Sequence, residues 1–497
     1  MIKLHRQWIF PFLLLFLLGM VFSLSACRES VGETAIRGSS SPVVYGASQF
    51  ANASDTYQVC ESGILYLSSN LAQYYDFEAE QSYVLCNRAN CRHNDTSCPA
   101  YAKGSDAMTG LAYFQDAVYL VRRNDDAGEY ELLRLNLTSD TQEVVAALEI
   151  GSYENGEWVL ERIGNVAYAG NHVWMEATYG YVSVDETGHG GIETETVVLT
   201  GIDITTGEIT RLNEVTDGND SIGCKAVSED YVVFERLWYD EPMLSESEFY
   251  EAAKRGEYAQ DIDLDKYIEE SLKIYENEED AYANAYENAY SEAYYNYRNE
   301  YQAAVPKQYA DMIYEVSTGT LTEFDSGECF KELDEDGIVT GEWAPYIFEG
   351  IDGDTLLYGS MYEYIYEDSD TQYAYSFSNG TREALFTYPT GGAFYCFADE
   401  HVALCRDYRR EENQALFFYY DLETGERTDL FLDDINTTFQ MIGYTQDRYL
   451  GLIYNDPVMS LDVFDGAYFG TLHQISKEDF ESGNLDAAEK ISLGIFN

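Results

Sequence analysis

The feature that most constrains this 497-residue chain is a short apolar strand, a tight polar turn and a second strand, a unit that recurs seven times. The second strands are rich in Val, Tyr and Leu, as in Val118–Val121. Successive turns lie roughly 45 to 60 residues apart, with one exception, and such a period is typical of repeat architectures. The turns are Ser62-Gly63, Gln115-Asp116, Gly170-Asn171, Glu229-Asp230, Gly353-Asp354, Asp399-Glu400 and Gln446-Asp447.

A second type of turn, which contains a glycine, follows later in several of these units. It spans Asp203–Glu208, Glu315–Thr320 and Asp421–Glu426, with a looser version at Ser376–Gly380. Each glycine stands where a β-hairpin needs a positive φ. Two hairpins per unit make four strands, so we predict an all-β fold, a β-propeller of seven four-stranded blades. A β-sandwich or several small β domains are the alternatives, but neither explains two turn types in register.

The interval between the fourth and fifth turns is about twice as long as the others, and the extra residues match a segment of different composition, 241–305. Ser245–Glu248 is a capping box, and Pro306 must end the last helix of the segment. Between them, tyrosines recur at the period of one helix face, beside alanines four residues apart. We therefore predict a helical insertion in blade four, between its second and third strands. The tyrosine stripe either packs against the propeller rim or another helix, or forms a recognition surface.

The N-terminus has the three parts of an export signal. Lys3 and Arg6 form a positive region, the run Trp8–Leu24 is largely apolar, and small residues precede Cys27. A transmembrane helix and an ordinary cleaved signal are the alternatives, but the apolar run of 17 residues falls short of the roughly 20 that a spanning helix needs. We predict a lipoprotein signal peptide at 1–26, lipidation of Cys27, a tether over 27–55 and the propeller domain over 56–497.

The charge balance of the chain is strongly acidic, with 89 acidic and 29 basic residues and a net charge of −60. Such a surface repels phosphate groups, so nucleic acid is excluded as a partner. The acidity either serves solubility alone or attracts cations and basic partners.

Three cysteines and a histidine lie within 13 residues of one loop, at Cys86, Cys91, His93 and Cys98. Thiolates and imidazole are the donors that Zn²⁺ prefers in tetrahedral sites, although this spacing is not that of a standard zinc knuckle. In an exported protein the thiols can instead form disulfides, with Cys60 as an outside partner, or stay free. All three alternatives remain open.

Two further cysteines flank the sixth turn. If Glu400 and His401 are the centre of that turn, Cys396 and Cys405 lie directly opposite each other on paired strands. Because a disulfide needs closely opposed Cβ atoms, this placement predicts a bond between them.

The lipobox Leu24–Cys27, the cysteine loop Leu85–Tyr101 and the tyrosine-rich repeats together resemble the uncharacterised propeller-like lipoproteins of anaerobic, clostridial-type Gram-positive bacteria. The likeness covers most of the mature chain, and the cysteine loop is its most specific part, whereas segment 241–305 goes beyond the basic repeat. The resemblance implies lipid anchoring at the outer leaflet of the cytoplasmic membrane, facing the cell wall. It implies no activity, and therefore no catalytic residue.

Motifs of common active sites do not occur in the sequence. There is no Gly-x-Ser-x-Gly nucleophile elbow, no His-Glu-x-x-His metal helix and no glycine-rich phosphate loop. We therefore assign no catalytic residue, while a propeller glycan lyase or hydrolase remains the alternative, since the fold hosts many chemistries.

Aromatic residues that follow second strands are expected at the same end of the propeller as the insertion. Rings among carboxylates and amides suit the faces of sugars or a peptide. We predict a binding or interaction module for cell-wall glycan, peptide or an envelope protein, with a purely structural sensor or assembly role as a further alternative. The candidate ligand-facing residues are Tyr179, Tyr181, Trp238, Tyr239, Tyr362, Tyr364 and Tyr366.

Overall fold

The computed structural model describes residues 57–492, with gaps at 102–107, 185–189, 259–263 and 455–471 and shorter gaps of four residues or fewer. The predicted signal peptide, Cys27 and nearly all of the tether up to residue 55 therefore lie outside the described residues. Seven four-stranded antiparallel sheets follow one another along the chain, each made of four consecutive strands. This arrangement confirms the predicted seven-bladed β-propeller.

The first three blades are regular in their chain order. Their strands are β1 (Tyr57–Cys60), β2 (Gly63–Ser68), β3 (Leu71–Asp76), β4 (Gln81–Val84), β5 (Met108–Phe114), β6 (Ala117–Asn124), β7 (Glu129–Asn136), β8 (Thr141–Glu149), β9 (Trp158–Ala169), β10 (His172–Val184), β11 (Gly190–Asp203) and β12 (Ile209–Arg211).

The last four blades include one additional two-stranded sheet, β17–β18, between blades four and five. Their strands are β13 (Asp220–Val227), β14 (Tyr231–Tyr239), β15 (Lys307–Glu315), β16 (Thr320–Glu328), β17 (Phe330–Leu333), β18 (Val339–Trp343), β19 (Tyr346–Asp352), β20 (Thr355–Ser360), β21 (Asp370–Ser376), β22 (Arg382–Tyr388), β23 (Gly392–Asp399), β24 (Val402–Arg409), β25 (Gln414–Asp421), β26 (Arg427–Asp434), β27 (Thr438–Tyr444), β28 (Arg448–Tyr454), β29 (Leu472–Ser476) and β30 (Glu489–Lys490).

The first strand of each blade is the innermost one. First strands of neighbouring blades pack against one another around the axis, as β1 does against β5 and β13 against β19. The ring closes where β27 of blade seven packs against β1 of blade one. Each of these two blades takes all four strands from its own end of the chain, so closure depends on side-chain packing rather than on a shared sheet.

Apolar side chains fill each boundary between blades. Blades seven and one, for example, share a core that joins Leu450 and Leu472 to Ile64 and Tyr66. Six further clusters occupy the other six boundaries. Burial of apolar surface between sheets is therefore what holds the ring together.

The turns have the backbone conformation that the glycine pattern predicts. First turns use a left-handed residue at Gly170 and Gly353, and Gln115 and His401 adopt the same conformation without a glycine. The second-turn glycines all have φ values of 67° to 72°, namely Gly207, Gly319, Gly380 and Gly425. This confirms the sequence prediction for the second type of turn.

The predicted insertion in blade four consists of α1 (Glu246–Lys254), α2 (Leu264–Ser271) and α3 (Glu278–Ala304), between β14 and β15. Ser245 and Glu248 form the predicted capping box at the start of α1. Two short helices lie elsewhere, α4 (Met361–Tyr366) after β20 and α5 (Lys477–Glu481) after β29. Among the described residues, no helix has both the length and the apolar character needed to cross a membrane.

The two ends of the propeller carry different connections. Because strands alternate in direction, the links from second to third strands and the links between blades share one end, which we call the insertion face. The tight hairpins between first and second strands lie at the opposite end. The insertion, α4 and the cysteine loop therefore all belong to the insertion face.

The predicted placement of Cys396 directly opposite Cys405 is wrong. In the β23–β24 pair, Cys405 lies opposite Phe394 and Cys396 lies opposite Leu404, because β-bulges shift the register on both sides of Cys396. Cys405 is a buried free thiol. Counting residues from the turn cannot detect such a shift.

Candidate functional site

The cysteine loop joins β4 of blade one to β5 of blade two on the insertion face. Both ends of the loop are attached to the same strand, β3. The Leu85 amide donates to the carbonyl of Ala72 over 3.0 Å, and the Ala72 amide donates to the carbonyl of Ala100 over 2.9 Å. The residues between these two bonds must therefore fold back on themselves.

This folding brings the four predicted donors together. The ligand atoms of Cys86, Cys91, His93 and Cys98 all lie within 4.8 Å of one another, so the cluster could hold a metal ion. His93 adopts a left-handed conformation, which turns its ring back so that Nδ1 lies 3.3 Å from Cys98 Sγ. The three cysteines are free thiols, and Cys60, the outside partner of the disulfide alternative, is a free thiol buried elsewhere in the same blade boundary.

Burial determines the protonation of the cluster. It raises the pKa of the Cys98 and Cys86 thiols and lowers the pKa of the His93 imidazole. The imidazole therefore stays neutral and able to bind a metal, while a metal must displace protons from the thiols. Three sulfur donors and one nitrogen complete a tetrahedral shell, and such closed shells are typical of structural rather than catalytic sites.

Tyr179 and Tyr181 lie near the C-terminal end of β10, the 13-residue second strand of blade three. Tyr179 is only 8 % exposed, and its hydroxyl accepts a hydrogen bond from Arg211 over 3.3 Å. Tyr181 is half-buried, with its ring centroid 5.3 Å from that of Trp158. The Tyr179 ring is therefore buried within its own blade and has no free face for a ligand.

Trp238 and Tyr239 end β14 at the base of the insertion. The guanidinium of Arg236 lies 4.9 Å from the Trp238 ring, and the indole N–H donates to Asp240 over 3.2 Å. The Tyr239 hydroxyl donates to Glu342 of β18, and its ring contacts Tyr301 of α3 at 5.3 Å. Tyr239 therefore connects blade four, the insertion and the β17–β18 sheet.

Tyr362, Tyr364 and Tyr366 belong to helix α4, which directly follows the second strand of blade five. The four-residue spacing puts the Tyr362 and Tyr366 rings side by side, with centroids 5.1 Å apart. They are 50 % and 48 % exposed. The side chain of Tyr364 lies outside the described part of the structure.

The β17–β18 sheet is the part of this face that sequence reasoning missed. Phe330 of β17 pairs with Trp343 of β18, and the Phe330 ring also contacts Tyr362 and Tyr366 at 5.7 and 5.9 Å. Trp343 is 38 % exposed. We call these four residues the aromatic patch. The unusually long link between blades four and five was the available signal.

The aromatic patch is held next to the insertion by one cation. Lys331 of β17 donates to the carbonyls of Ala303 and Val305 over 3.1 and 3.4 Å, at the C-terminal end of α3. A positive charge is favourable there because it meets the negative end of the helix dipole. The Tyr366 hydroxyl also donates to the Lys331 carbonyl over 2.9 Å. The insertion, the two-stranded sheet and α4 thus form one contiguous structure.

Fold and site together define a seven-bladed β-propeller with a helical insertion, an exposed aromatic patch and a potential metal cluster. No family model and no curated protein matches the chain. Among solved structures, it is similar to an oligogalacturonate lyase from Vibrio parahaemolyticus, with 10 % identity, 75 % of this chain and 74 % of that chain covered, and a TM-score of 0.37.

Two further propeller structures show similarly distant likeness. TolB from Acinetobacter baumannii has 10 % identity, with 80 % of this chain and 65 % of that chain covered and a TM-score of 0.27. The β-propeller domain of the Trilobed protease from Pyrococcus furiosus has 8 % identity, coverage of 67 % and 71 %, and a TM-score of 0.31. Scores this low carry no argument about function, and the fold assignment depends on the sheet topology of the chain itself.

Proposed function

We propose that this protein is a lipid-anchored, extracytoplasmic binding module that takes cell-wall glycan on its insertion face. The observation that carries the proposal is the aromatic patch, in which Tyr362, Tyr366 and Trp343 stay exposed while the Phe330 ring contacts both tyrosines. Exposed apolar clusters of this kind mark interaction sites on soluble domains.

The chemistry around the patch suits a carbohydrate. Aromatic rings pack against the C–H faces of sugars, and carboxylates accept hydrogen bonds from sugar hydroxyls. Glu332 lies beside Trp343 and accepts its indole N–H over 3.3 Å, and Glu363 accepts the Tyr373 hydroxyl over 3.0 Å. The second oxygen of Glu332 can accept a hydrogen bond from a sugar hydroxyl beside the aromatic rings, whereas the second oxygen of Glu363 is buried.

The test is thermal unfolding with purified glycan strands from bacterial cell walls. We expect the strands to raise the Tm of the protein, and Tyr362→Ala with Tyr366→Ala to abolish the rise because stacking area is lost. Tyr295→Ala is the matched control, since Tyr295 is equally exposed but lies on α3 outside the patch. A rise with wall peptides alone would show that the ligand class is wrong, and no rise with either would end the proposal.

We also propose that the cysteine cluster binds Zn²⁺ and so fixes the link between blades one and two. Support comes from the donor set and from the mutual distances of its four ligand atoms. Protein purified without oxidation should contain about one zinc per chain. Cys98→Ser should remove most of the bound zinc. Cys224 is a buried free thiol at another blade boundary, so Cys224→Ser should leave the zinc content unchanged. Protein free of zinc under these conditions would refute this assignment.

The membrane location follows from the sequence alone and remains a proposal. Cys27 lies outside the described residues, and the lipobox around it is what supports anchoring. In cells that export the protein, Cys27→Ser should move it from the membrane fraction to the soluble extracytoplasmic fraction. Wild-type protein found in the soluble fraction would contradict anchoring through this residue.

A further inference from the structure

The far end of the α2–α3 helix pair exposes an unusual amount of apolar surface. Ile274 is 74 % exposed, and Leu272 and Tyr275 beside it in the α2–α3 turn are exposed as well. Tyr282 and Tyr286, in the first turns of α3, are also exposed. We call these five residues the tip patch. Single exposed apolar residues are common on proteins, but a contiguous group marks an interaction surface.

The geometry of the helix pair gathers the residues of the tip patch at one end of the insertion. Ser271, at the end of α2, donates its hydroxyl to Asn284 of α3 over 3.1 Å. The Tyr267 hydroxyl donates to Glu292 over 2.5 Å, further along the pair, so the two helices run antiparallel. The turn residues therefore lie at the N-terminal end of α3, the same end that carries Tyr282 and Tyr286.

The tip patch is separate from the aromatic patch. The C-terminal end of α3 is seated on the insertion face by Lys331, whereas the tip patch lies at its N-terminal end. At 1.5 Å per residue, the 27 residues of α3 span about 40 Å. A ligand that covers one patch does not need to touch the other.

Charge decides what kind of partner fits the tip patch. Glu270, Glu278, Asp280 and Glu287 surround it and are exposed. The nearby Lys273 is already paired with Glu269 over 2.9 Å. Segment 241–305 as a whole contains 17 acidic and five basic residues. A second copy of this chain, at a net charge of −60, and an anionic lipid surface are both repelled by such a rim.

We propose that the tip patch docks a lysine- and arginine-rich amphipathic segment of another protein. Its apolar side covers Leu272, Ile274 and the tyrosines, while its cations meet the acidic rim. Burial of the apolar centre supplies affinity, and the charges supply orientation and a fast encounter. The proposal does not depend on glycan binding at the aromatic patch, because the two surfaces use different residues.

The experiment compares two synthetic helical peptides of about 20 residues, one of lysine and leucine and one of lysine and glutamine with the same charge. Binding is measured by fluorescence anisotropy at physiological salt. We expect the lysine–leucine peptide to bind at least about tenfold more tightly. The double variant Leu272→Ser, Ile274→Ser should lose that preference, and Tyr295→Ser, on α3 outside the tip patch, should keep it.

Other outcomes overturn the proposal. Equal binding of the two peptides would show that only general acidity is involved, and an unaffected double variant would place binding elsewhere. Sedimentation velocity would reveal a dimer that the double variant abolishes if the occupant is a second copy. Binding to phosphatidylglycerol vesicles, lost in the same variant, would identify a lipid surface instead. Circular dichroism of each variant confirms that the exposed substitutions leave the helices folded.

Discussion

Three carboxylates lie side by side across the sheet of blade four. Asp311 of β15 pairs directly with Glu235 of β14 and with Asp325 of β16. It is fully buried, and neither of its carboxylate oxygens has a hydrogen-bond partner among the described residues. Burial first, and then the Glu235 carboxylate, raise the pKa of Asp311 to about 8, although Lys225 and Arg382 oppose the shift.

This residue predicts a pH dependence of stability. The pKa of Asp311 is about 8 in the folded protein and about 3.9 in the unfolded chain. Between these values the unfolded chain loses the Asp311 proton while the folded protein keeps it. The stability of the folded protein is therefore highest at low pH and falls as pH rises from about 4 to about 8. Asp311→Asn keeps the size and shape of a protonated aspartic acid but cannot ionise. It should raise the free energy of unfolding by on the order of 2 kcal/mol at pH 8. The gain should be much smaller at pH 4.5.

Denaturant unfolding at the two pH values measures this difference. Asp125→Asn is the control for removal of one negative charge, since Asp125 is a surface residue paired with Arg123. A stabilisation by Asp311→Asn that is equal at both pH values would argue against a neutral Asp311 in the folded protein.

Residue types and spacing identified the cysteine loop as a candidate metal site, with disulfides and free thiols as open alternatives, because its donors are local in the chain. Cys86, Cys91, His93 and Cys98 meet within a single loop whose ends are fixed by β3. The aromatic patch could not be found in this way. Phe330 pairs with Trp343 and reaches Tyr362 and Tyr366 only after a separate two-stranded sheet has formed beside blade five.

At the scale of single elements, α3 shows that part of its tyrosine stripe packs against another helix, as one of the sequence alternatives expected. The alanines four residues apart are the buried face, at Ala281, Ala285, Ala289 and Ala293. Small side chains let α1 and α2 approach α3 closely. The tyrosines flank this face and divide into two groups. Those near the C-terminal half pack around Phe249 of α1, whereas Tyr282 and Tyr286 stay exposed.

Overpacking the alanine face should therefore unfold the insertion selectively. Ala285 is fully buried, so the larger leucine side chain of Ala285→Leu has no space between the helices. It should destabilise the helix pair by about 1–3 kcal/mol. Ala283→Leu, on the exposed side of the same helix, should have little effect. Helical circular dichroism during thermal unfolding measures both variants. Equal melting of the two would show that the alanine face does not determine the packing.

At the scale of the whole molecule, the described strands include none that is shared between the first and last blades of the ring. Closure at β27 and β1 depends on the apolar cluster around Ile64 and Leu450. The propeller must also compact a chain of net charge −60, and self-repulsion of such a charge opposes the folded state.

Salt should consequently stabilise the folded protein. Raising NaCl from about 0.05 to about 0.5 M shortens the screening length, and we expect the Tm to rise by roughly 3 °C. Calorimetry in NaCl and in KCl should give the same rise, since screening depends on ionic strength rather than on the ion. A Tm that falls with salt would mean that attractive ion pairs outweigh repulsion.

The sequence by itself determined the seven four-stranded blades, the glycine turns and the position of the helical insertion. These features follow from local rules, namely strand alternation, positive φ at glycine and the period of a helix. Only the tertiary structure decided the register of Cys396 and Cys405, the buried alanine face of α3 and the aromatic patch. Each of these depends on a bulge or on packing between residues far apart in the chain, and no local pattern records such contacts.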